Sequence, residues 1–286
     1  MEENLDQSKD SHLIPMTSVS SGKLSEVRED LAYYTNQIVN IIFIGLKNNK
    51  WILIDAGMPS SGKEIIDIAE ERFGKGNAPQ AILLTHGHFD HVGSIVHLLE
   101  TWPDVTVYAH PAEFPFLTGI KAYPEPDASV QGGLLAKIAS IYPHEPINIS
   151  ARLEELPADR SVPFLKDWEW FHTPGHSPGH VSYYRQADQS LIAGDAFVTV
   201  KQDSLYKVLV QKEEVNGPPV YLTTDWQAAK VSVVSLNSLK PKLAITGHGT
   251  HMEGEQLTSG LEMLSREFDT KAIPEYGKFV DKDKPK

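Results

Sequence analysis

Hydrophobic residues along the chain alternate between short runs typical of buried strands and the three-to-four-residue spacing typical of helices. Residues 40–57 predict two apolar strands joined through Lys47–Lys50, and residues 81–85 predict a short buried strand. Helical spacing covers residues 62–74 and 91–102. Further strands are predicted at 105–110, 181–185, 190–195 and 243–249, and further helices at 225–240 and 255–269. This mixture predicts an α/β fold rather than separate all-α and all-β domains.

Both ends of the chain are polar, which predicts a loosely docked N-terminal extension over residues 1–30 and a polar tail over 280–286. Between them, the sequence contains no Gly/Ser-rich or charged linker and no repeat at a fixed period. Residues 31–279 are therefore expected to form a single domain, and 286 residues suffice for a sizeable core.

Composition and charge narrow the possible functions. The formal net charge of −12 argues against nucleic acid or an anionic membrane as the main partner, because phosphate binding needs clustered Lys and Arg. The chain has no cysteine, which excludes disulfides, thiolate metal ligands and cysteine nucleophiles. The N-terminal segment lacks an apolar signal sequence, and the apolar runs are too short to span a bilayer. A cytoplasmic protein is expected, while the sequence leaves its oligomeric state open.

One short stretch, "LLTHGHFDHVG", concentrates candidate metal ligands at His86, His88, Asp90 and His91. With 12 histidines and 17 aspartates in 286 residues, this spacing arises by chance on the order of once in a thousand such sequences. In an extended stretch, residues i and i+2 point to one side, so the first two histidines can converge on one ion. Asp90 and His91 lie at the turn into a helix and can reach a second position. A solvated polar loop is the alternative, but this density of imidazole and carboxylate is typical of a transition-metal site.

Three later motifs add candidate ligands at the ends of predicted strands. "HTPGHSPGH" contains His176 and His180, "IAGDAF" ends an apolar strand in Asp195, and "ITGHGTH" ends another in His248. Each residue alone would be typical of a turn or of the surface. Their shared position is more informative, because strand ends tend to carry functional loops.

The order "THGHFDH", "TPGHSPGH", "GD" and "TGHG" resembles the metallo-β-lactamase fold superfamily over roughly residues 33–270. The wording "TPGHSPGH" is more similar to glyoxalase II-type and lactonase-type hydrolases than to the antibiotic-destroying enzymes, which often use a cysteine ligand. The resemblance implies an α/β fold, an αββα four-layer sandwich of two similar halves, with metals at one edge between them.

The same resemblance implies a role for each candidate residue. The first metal would be held by His86, His88 and His176, and the second by Asp90, His91 and His248. Asp195 would bridge both metals. Asp55, in "LIDAG", would orient a ligand histidine and fix its tautomer, and His180 would support the site rather than ligate.

The implied activity is that of a binuclear metal-dependent hydrolase of a small molecule. A hydroxide that bridges the metals would attack the carbonyl carbon of an ester, thioester or lactone, and Asp90 would hold the hydroxide and pass on its proton. Zinc is the expected metal, although the same nitrogen and oxygen ligands also accept manganese or iron.

Alternatives stay open at this point. Persulfide dioxygenases resemble this fold and hold one iron at positions that match His86, His176 and Asp195. Activity on a β-lactam or a phosphodiester is a weaker alternative. Val198 stands where acyl-homoserine lactonases have a tyrosine, which argues against a close lactonase. His251 and the aromatic residues of the irregular loops 113–133 and 201–226 either line the pocket or serve packing.

Overall fold

The computed structural model describes residues 5–11, 18, 20–130, 142–200 and 213–280. Residues 281–286 of the predicted tail, and residues 131–133 and 201–212 of the two irregular loops, lie outside the described residues. The chain divides into two compact units. Unit 1 comprises Met1–Tyr123 and Pro143–Trp170, and unit 2 comprises Pro124–Tyr142 and Phe171–Lys286.

Unit 1 contains a seven-stranded sheet whose strands follow one another in chain order. The strands are β1 (Lys23–Arg28), β2 (Leu31–Asn36), β3 (Val39–Ile44), β4 (Ile52–Ile54), β5 (Ala81–Leu83), β6 (Thr106–Ala109) and β7 (Leu153–Glu155). The first four pair antiparallel, which confirms the predicted β3–β4 hairpin, and β4 to β7 pair parallel. A short hairpin of β8 (Ser161–Val162) and β9 (Leu165–His172) follows.

The predicted polar extension over residues 1–30 includes part of this sheet, since β1 begins at Lys23. Farther upstream, the backbone of Asp6 pairs with that of Asn148 through two hydrogen bonds of 2.9 and 2.8 Å. The side-chain carboxylate of Asp10 accepts hydrogen bonds from the amides of His144 and Glu145. These contacts anchor the described part of the extension to unit 1.

Helices of unit 1 cover the apolar faces that the sequence predicts. They are α1 (Gly62–Phe73), α2 (Phe89–Val92), α3 (Ile95–Thr101) and α4 (Phe114–Leu117), with short 3-10 helices at Pro111–Glu113 and Ser150–Arg152. As expected from its spacing, α1 buries Ile65, Ala69 and Phe73. Phe73 stacks on Trp51, with ring centroids 4.5 Å apart, within a core that is one continuous cluster.

The structure differs from the prediction of one continuous helix over residues 91–102, because α2 and α3 are separated at Gly93 and Ser94. The amide of Gly93 donates to the carbonyl of Gly57 at 2.8 Å, and that of Ser94 donates to the carbonyl of Ala56. A Cβ atom at Gly93 would lie 2.3 Å from the backbone nitrogen of Pro59. The close approach of the loop after β4 therefore takes the hydrogen bonds that would continue the helix.

Unit 2 contains a sheet with the order β15-β14-β11-β10 and a separate pair, β12 and β13. Its strands are β10 (Val181–Arg185), β11 (Ser190–Gly194), β12 (Val198–Val200), β13 (Glu213–Asn216), β14 (Leu243–Thr246) and β15 (Met252–Glu253). Strands β11 and β14 are parallel neighbours. Helices α5 (Trp226–Ser238), α6 (Gly254–Arg266) and α7 (Phe268–Lys271) pack their apolar residues into a second core.

The predicted inward faces of these helices are confirmed. Trp226, Ala229, Val233 and Leu236 of α5 are all buried. The predicted single helix over residues 255–269 is instead two helices, α6 and α7, which meet at Glu267. Within the part of the chain that the structure describes, no helix combines the length and the apolar character needed to cross a membrane.

Candidate metal centre

The candidate ligands of unit 1 lie at the carboxyl ends of two parallel strands. Asp55 follows β4 directly, and the segment from His86 to His91 follows β5 and forms the start of α2. In open α/β sheets, the loops at this edge commonly carry the functional groups. The strand pairing therefore explains why residues about thirty positions apart in sequence lie side by side.

Four predicted ligands meet in this loop, and all four side chains are buried. Ligand atoms of His86 and His88 lie within 4.8 Å of each other, as do those of His86 and His91 and those of Asp90 and His91. The ring centroids of His86 and His91 are 4.1 Å apart. Burial of so many polar groups is costly unless they are bound by hydrogen bonds or by a metal.

Asp55 and Thr85 fix the orientation of two of these histidines. One carboxylate oxygen of Asp55 accepts from the Thr85 amide, and the other accepts from the Thr85 hydroxyl and from Nδ1 of His91, each at 2.8 Å. Because the Thr85 hydroxyl donates to Asp55, its oxygen accepts from Nδ1 of His86 at 3.0 Å. Both histidines thus carry their proton on Nδ1, so Nε2 is the nitrogen that bears the lone pair.

Asp55 adopts an unusual backbone conformation, with φ of +63°. Aspartate and asparagine tolerate this left-handed region better than most residues other than glycine. The position therefore combines a tight turn out of β4 with a carboxylate that points at Thr85 and His91.

The candidate ligands of unit 2 come from three separate loops. His176 precedes β10, Asp195 follows β11, and His248 lies just beyond β14. Nε2 of His176 lies 3.4 Å, and Nε2 of His248 3.2 Å, from the same oxygen, Oδ2 of Asp195. Two ligand atoms on one tetrahedral ion, each about 2.0–2.1 Å from it, are roughly 3.4 Å apart. The spacing in unit 2 therefore fits metal ligation.

His176 is oriented by a residue that the sequence analysis did not single out. The hydroxyl of Thr223 donates to the carbonyl of Pro219 at 2.7 Å, so its oxygen accepts from Nδ1 of His176 at 3.1 Å. This assigns His176 the same tautomer as the two histidines above. The preceding Gly175 packs so closely on α5 that a Cβ atom there would lie 2.3 Å from the amide nitrogen of Ala229.

His180 carries its proton on Nδ1 as well, but its Nε2 accepts a hydrogen bond from the protein. Its Nε2 accepts the backbone amide of Asp195 at 2.8 Å, and its Nδ1 bonds to the hydroxyl of Thr173, also at 2.8 Å. The lone pair of Nε2 is therefore engaged by the backbone. His180 thus holds the backbone of Asp195.

Glu113 and Tyr123 adjoin the ligand loop of unit 1; the sequence analysis left the role of the aromatic residues of loop 113–133 open and did not single out Glu113. Glu113 is fully buried, and it accepts hydrogen bonds from the Tyr123 hydroxyl and the Gly87 amide. Burial, reinforced by the Glu113 carboxylate, raises the pKa of the Tyr123 phenol well above its ordinary value, so the hydroxyl stays protonated. No spacing in the sequence pointed to this pair.

Comparison with known proteins decides the family. The sequence model of the metallo-beta-lactamase superfamily matches residues 34–248. The chain belongs to the metallo-beta-lactamase superfamily. The resemblance drawn from the four motifs is thus confirmed, as is the mixed α/β fold with two sheets.

Individual members of the superfamily support the assignment. A probable metallo-hydrolase of Bacillus subtilis, YflN, is 45% identical over 254 residues, which are 88% of this chain and 96% of that protein. A hydroxyacylglutathione hydrolase of Erwinia tasmaniensis is 30% identical over 129 residues, 45% of this chain and 38% of that protein. The crystal structure of TTHA1623 in a di-iron-bound form has a TM-score of 0.51 and 26% identity, covering 80% of this chain and 92% of that one. The chain is a metallo-hydrolase family member with a candidate His/Asp site.

Proposed function

We propose that the predicted ligand residues hold a binuclear metal centre, and that the protein hydrolyses an ester, thioester or lactone of a small molecule. His86, His88 and His176 would hold one ion, and Asp90, His91 and His248 the other. Asp195 would bridge them. The observation that carries this proposal is the common tautomer of His86, His91 and His176, each with Nδ1 held by an oxygen.

The residues present fit a pair of divalent ions. The set contains only imidazole and carboxylate ligands, which suit zinc, iron and manganese. The single oxygen of Asp195 that approaches both His176 and His248 supports a bridging role. Zinc is the metal we propose, and the di-iron form of TTHA1623 makes iron the alternative that metal analysis must test.

Divalent ions bound there would lower the pKa of water toward neutrality and polarise the substrate carbonyl. The Asp90 carboxylate, with Oδ2 3.9 Å from Nε2 of His91, would accept a proton from the attacking water and deliver it to the leaving oxygen or sulfur. Asp55 keeps the Nδ1 proton of His91 in place, and His180 holds the backbone of Asp195. No protein nucleophile is required.

The substrate class rests on family members rather than on pocket shape. The hydroxyacylglutathione hydrolase match supports cleavage of an acyl bond, and it spans 38% of that protein. We therefore propose acyl compounds as the first substrates to test, ahead of β-lactams and phosphodiesters.

The decisive experiment counts metals and measures hydrolysis on the same preparation. Protein loaded with zinc should contain close to two ions per chain by elemental analysis. It should also hydrolyse at least one member of an ester, thioester and lactone panel under nitrogen. One tightly held iron, no anaerobic hydrolysis, and oxygen consumption with a persulfide would contradict the proposal and favour a mononuclear dioxygenase.

Asp90→Asn tests the proton step when its metal content is measured alongside, because Asp90 is also a proposed ligand. The amide keeps the shape of the side chain but cannot take up a proton, so turnover should fall by roughly 10²–10⁴-fold. Asp104→Asn, at an exposed position of unit 1, is the matched control and should keep full activity. Turnover of Asp90→Asn equal to that of the control would remove Asp90 from the mechanism.

A further inference from the structure

Gly87, the residue between two proposed ligands, is held by a buried pair of polar side chains. Its amide donates to Oε2 of Glu113 at 2.9 Å and to the hydroxyl oxygen of Tyr123 at 3.1 Å. The Tyr123 hydroxyl in turn donates to the same Glu113 oxygen. All three groups belong to unit 1, and together they fix the peptide that joins His86 to Gly87.

Packing at this point leaves no room for a side chain. A Cβ atom at Gly87 would lie 2.6 Å from the Tyr123 hydroxyl and 3.0 Å from Leu117. The Tyr123 ring also contacts the ring of His88, with centroids 4.5 Å apart and planes at 62°. On its other side, Tyr123 stacks on Phe116 at 3.8 Å. Tyr123 therefore touches both the backbone before His88 and the imidazole itself.

Burying a carboxylate such as Glu113 costs free energy unless it is hydrogen-bonded. Here the two donors are a backbone amide of the ligand loop and a protonated phenol. Ligands that are fixed before binding lose less conformational freedom, so groups that orient metal ligands raise the affinity for the ion.

We propose that Glu113 and Tyr123 are positioning residues that hold His86 and His88 at the separation needed to bind one ion. This inference rests on the proposed function of the same site. It predicts that loss of either side chain lowers metal affinity clearly while the stability of the fold changes little.

The test compares Tyr123→Phe and Glu113→Ala with a control, Tyr184→Phe. Tyr184 is an equally buried tyrosine of unit 2 whose hydroxyl donates to the carbonyl of Leu239. We expect both test variants to bind zinc about tenfold more weakly in a chelator competition, and the control to bind like wild type. Glu113→Gln, which restores an oxygen acceptor for Gly87, should regain most of the affinity.

Thermal unfolding of the metal-free proteins separates positioning from packing. We expect the test variants to unfold within a few degrees of the Tyr184→Phe control, a shift ordinary for the two hydrogen bonds that each substitution removes. Test variants that bind zinc like wild type would overturn the inference, and so would loss of the fold in both of them. Wild-type protein that binds no metal would instead contradict the proposed function.

Kinetics give a second readout. If His86 and His88 are displaced in the test variants, kcat should fall more than KM changes, because the ions act on the reacting atoms. A change in KM alone, with normal zinc affinity, would place Tyr123 in the substrate pocket and overturn its positioning role.

Discussion

The two units place similar candidate ligands in different ways. Unit 1 gathers four of them in one segment, from His86 to His91, at the end of a single strand. Unit 2 draws three from separate loops, so Asp195 and His248 depend on the pairing of β11 with β14. A contiguous segment needs support only from its neighbours, whereas dispersed ligands require the whole unit to be folded.

In both units, nevertheless, the tautomer of a histidine is set in the same way: an oxygen atom accepts a hydrogen bond from its Nδ1. In unit 1, Asp55 and Thr85 provide it from the ends of adjacent parallel strands. In unit 2, Thr223 provides it from a loop that precedes α5. A buried carboxylate supports the first set and a neutral hydroxyl the second. We therefore expect metal affinity to fall more when Asp55 of unit 1 is replaced than when Thr223 of unit 2 is replaced.

The largest effect should follow from removing Asp195, which we propose as the bridging ligand. Asp195→Ala should lose metal and activity together, with turnover reduced on the order of a thousandfold, which corresponds to several kcal/mol of lost stabilisation. Circular dichroism should show that the fold persists. Asp188→Ala, which removes a carboxylate paired with Arg185 in the same unit, should retain both properties. Full activity and unchanged metal content in Asp195→Ala would end its assignment as a bridge.

A smaller effect is expected at Asp55, which touches the ligands only through His91 and Thr85. Asp55→Asn keeps the backbone conformation but loses the charge and one acceptor, so metal affinity or activity should fall roughly 10–100-fold. Titration with a metal chelator measures this directly. Asp67→Asn, on the exposed face of α1, serves as the control. Equal affinities in the two variants would show that the carboxylate does not act on the metal.

The smallest effect is expected at Thr223. Thr223→Val removes the hydroxyl that orients His176, and we expect metal affinity to fall by no more than about tenfold, the lower end of the range for groups that orient a ligand. Thr258→Val, an exposed threonine of α6, controls for the substitution itself. A loss larger than that of Asp55→Asn would reverse the proposed order of sensitivity between the units.

The contrast between the units also explains what the sequence could predict. The candidate ligands from His86 to His91 follow from local spacing, buried strand ends pointed to Asp195 and His248, and Asp55 followed from the family resemblance. Thr223 lies in a stretch without periodicity, so nothing marked it before the fold brought it to His176. The break between α2 and α3 was missed for a related reason, because the carbonyl groups of the loop after β4 compete for the amides of Gly93 and Ser94.

Parallel pairing of β11 with β14 has a consequence for how the chain can change over evolution. A slip of one residue in either strand would turn its side chains to the opposite face and separate Asp195 from His248. Insertions and deletions within these strands should therefore be rare among descendants of this sequence. Parts of the connection that carry neither a proposed ligand nor a supporting residue are under no such constraint, because the entropic penalty of lengthening a loop grows only slowly with its length. New specificities can thus arise by insertions in this connection that leave Asp195, Thr223 and α5 in place, while the ligand geometry is inherited unchanged.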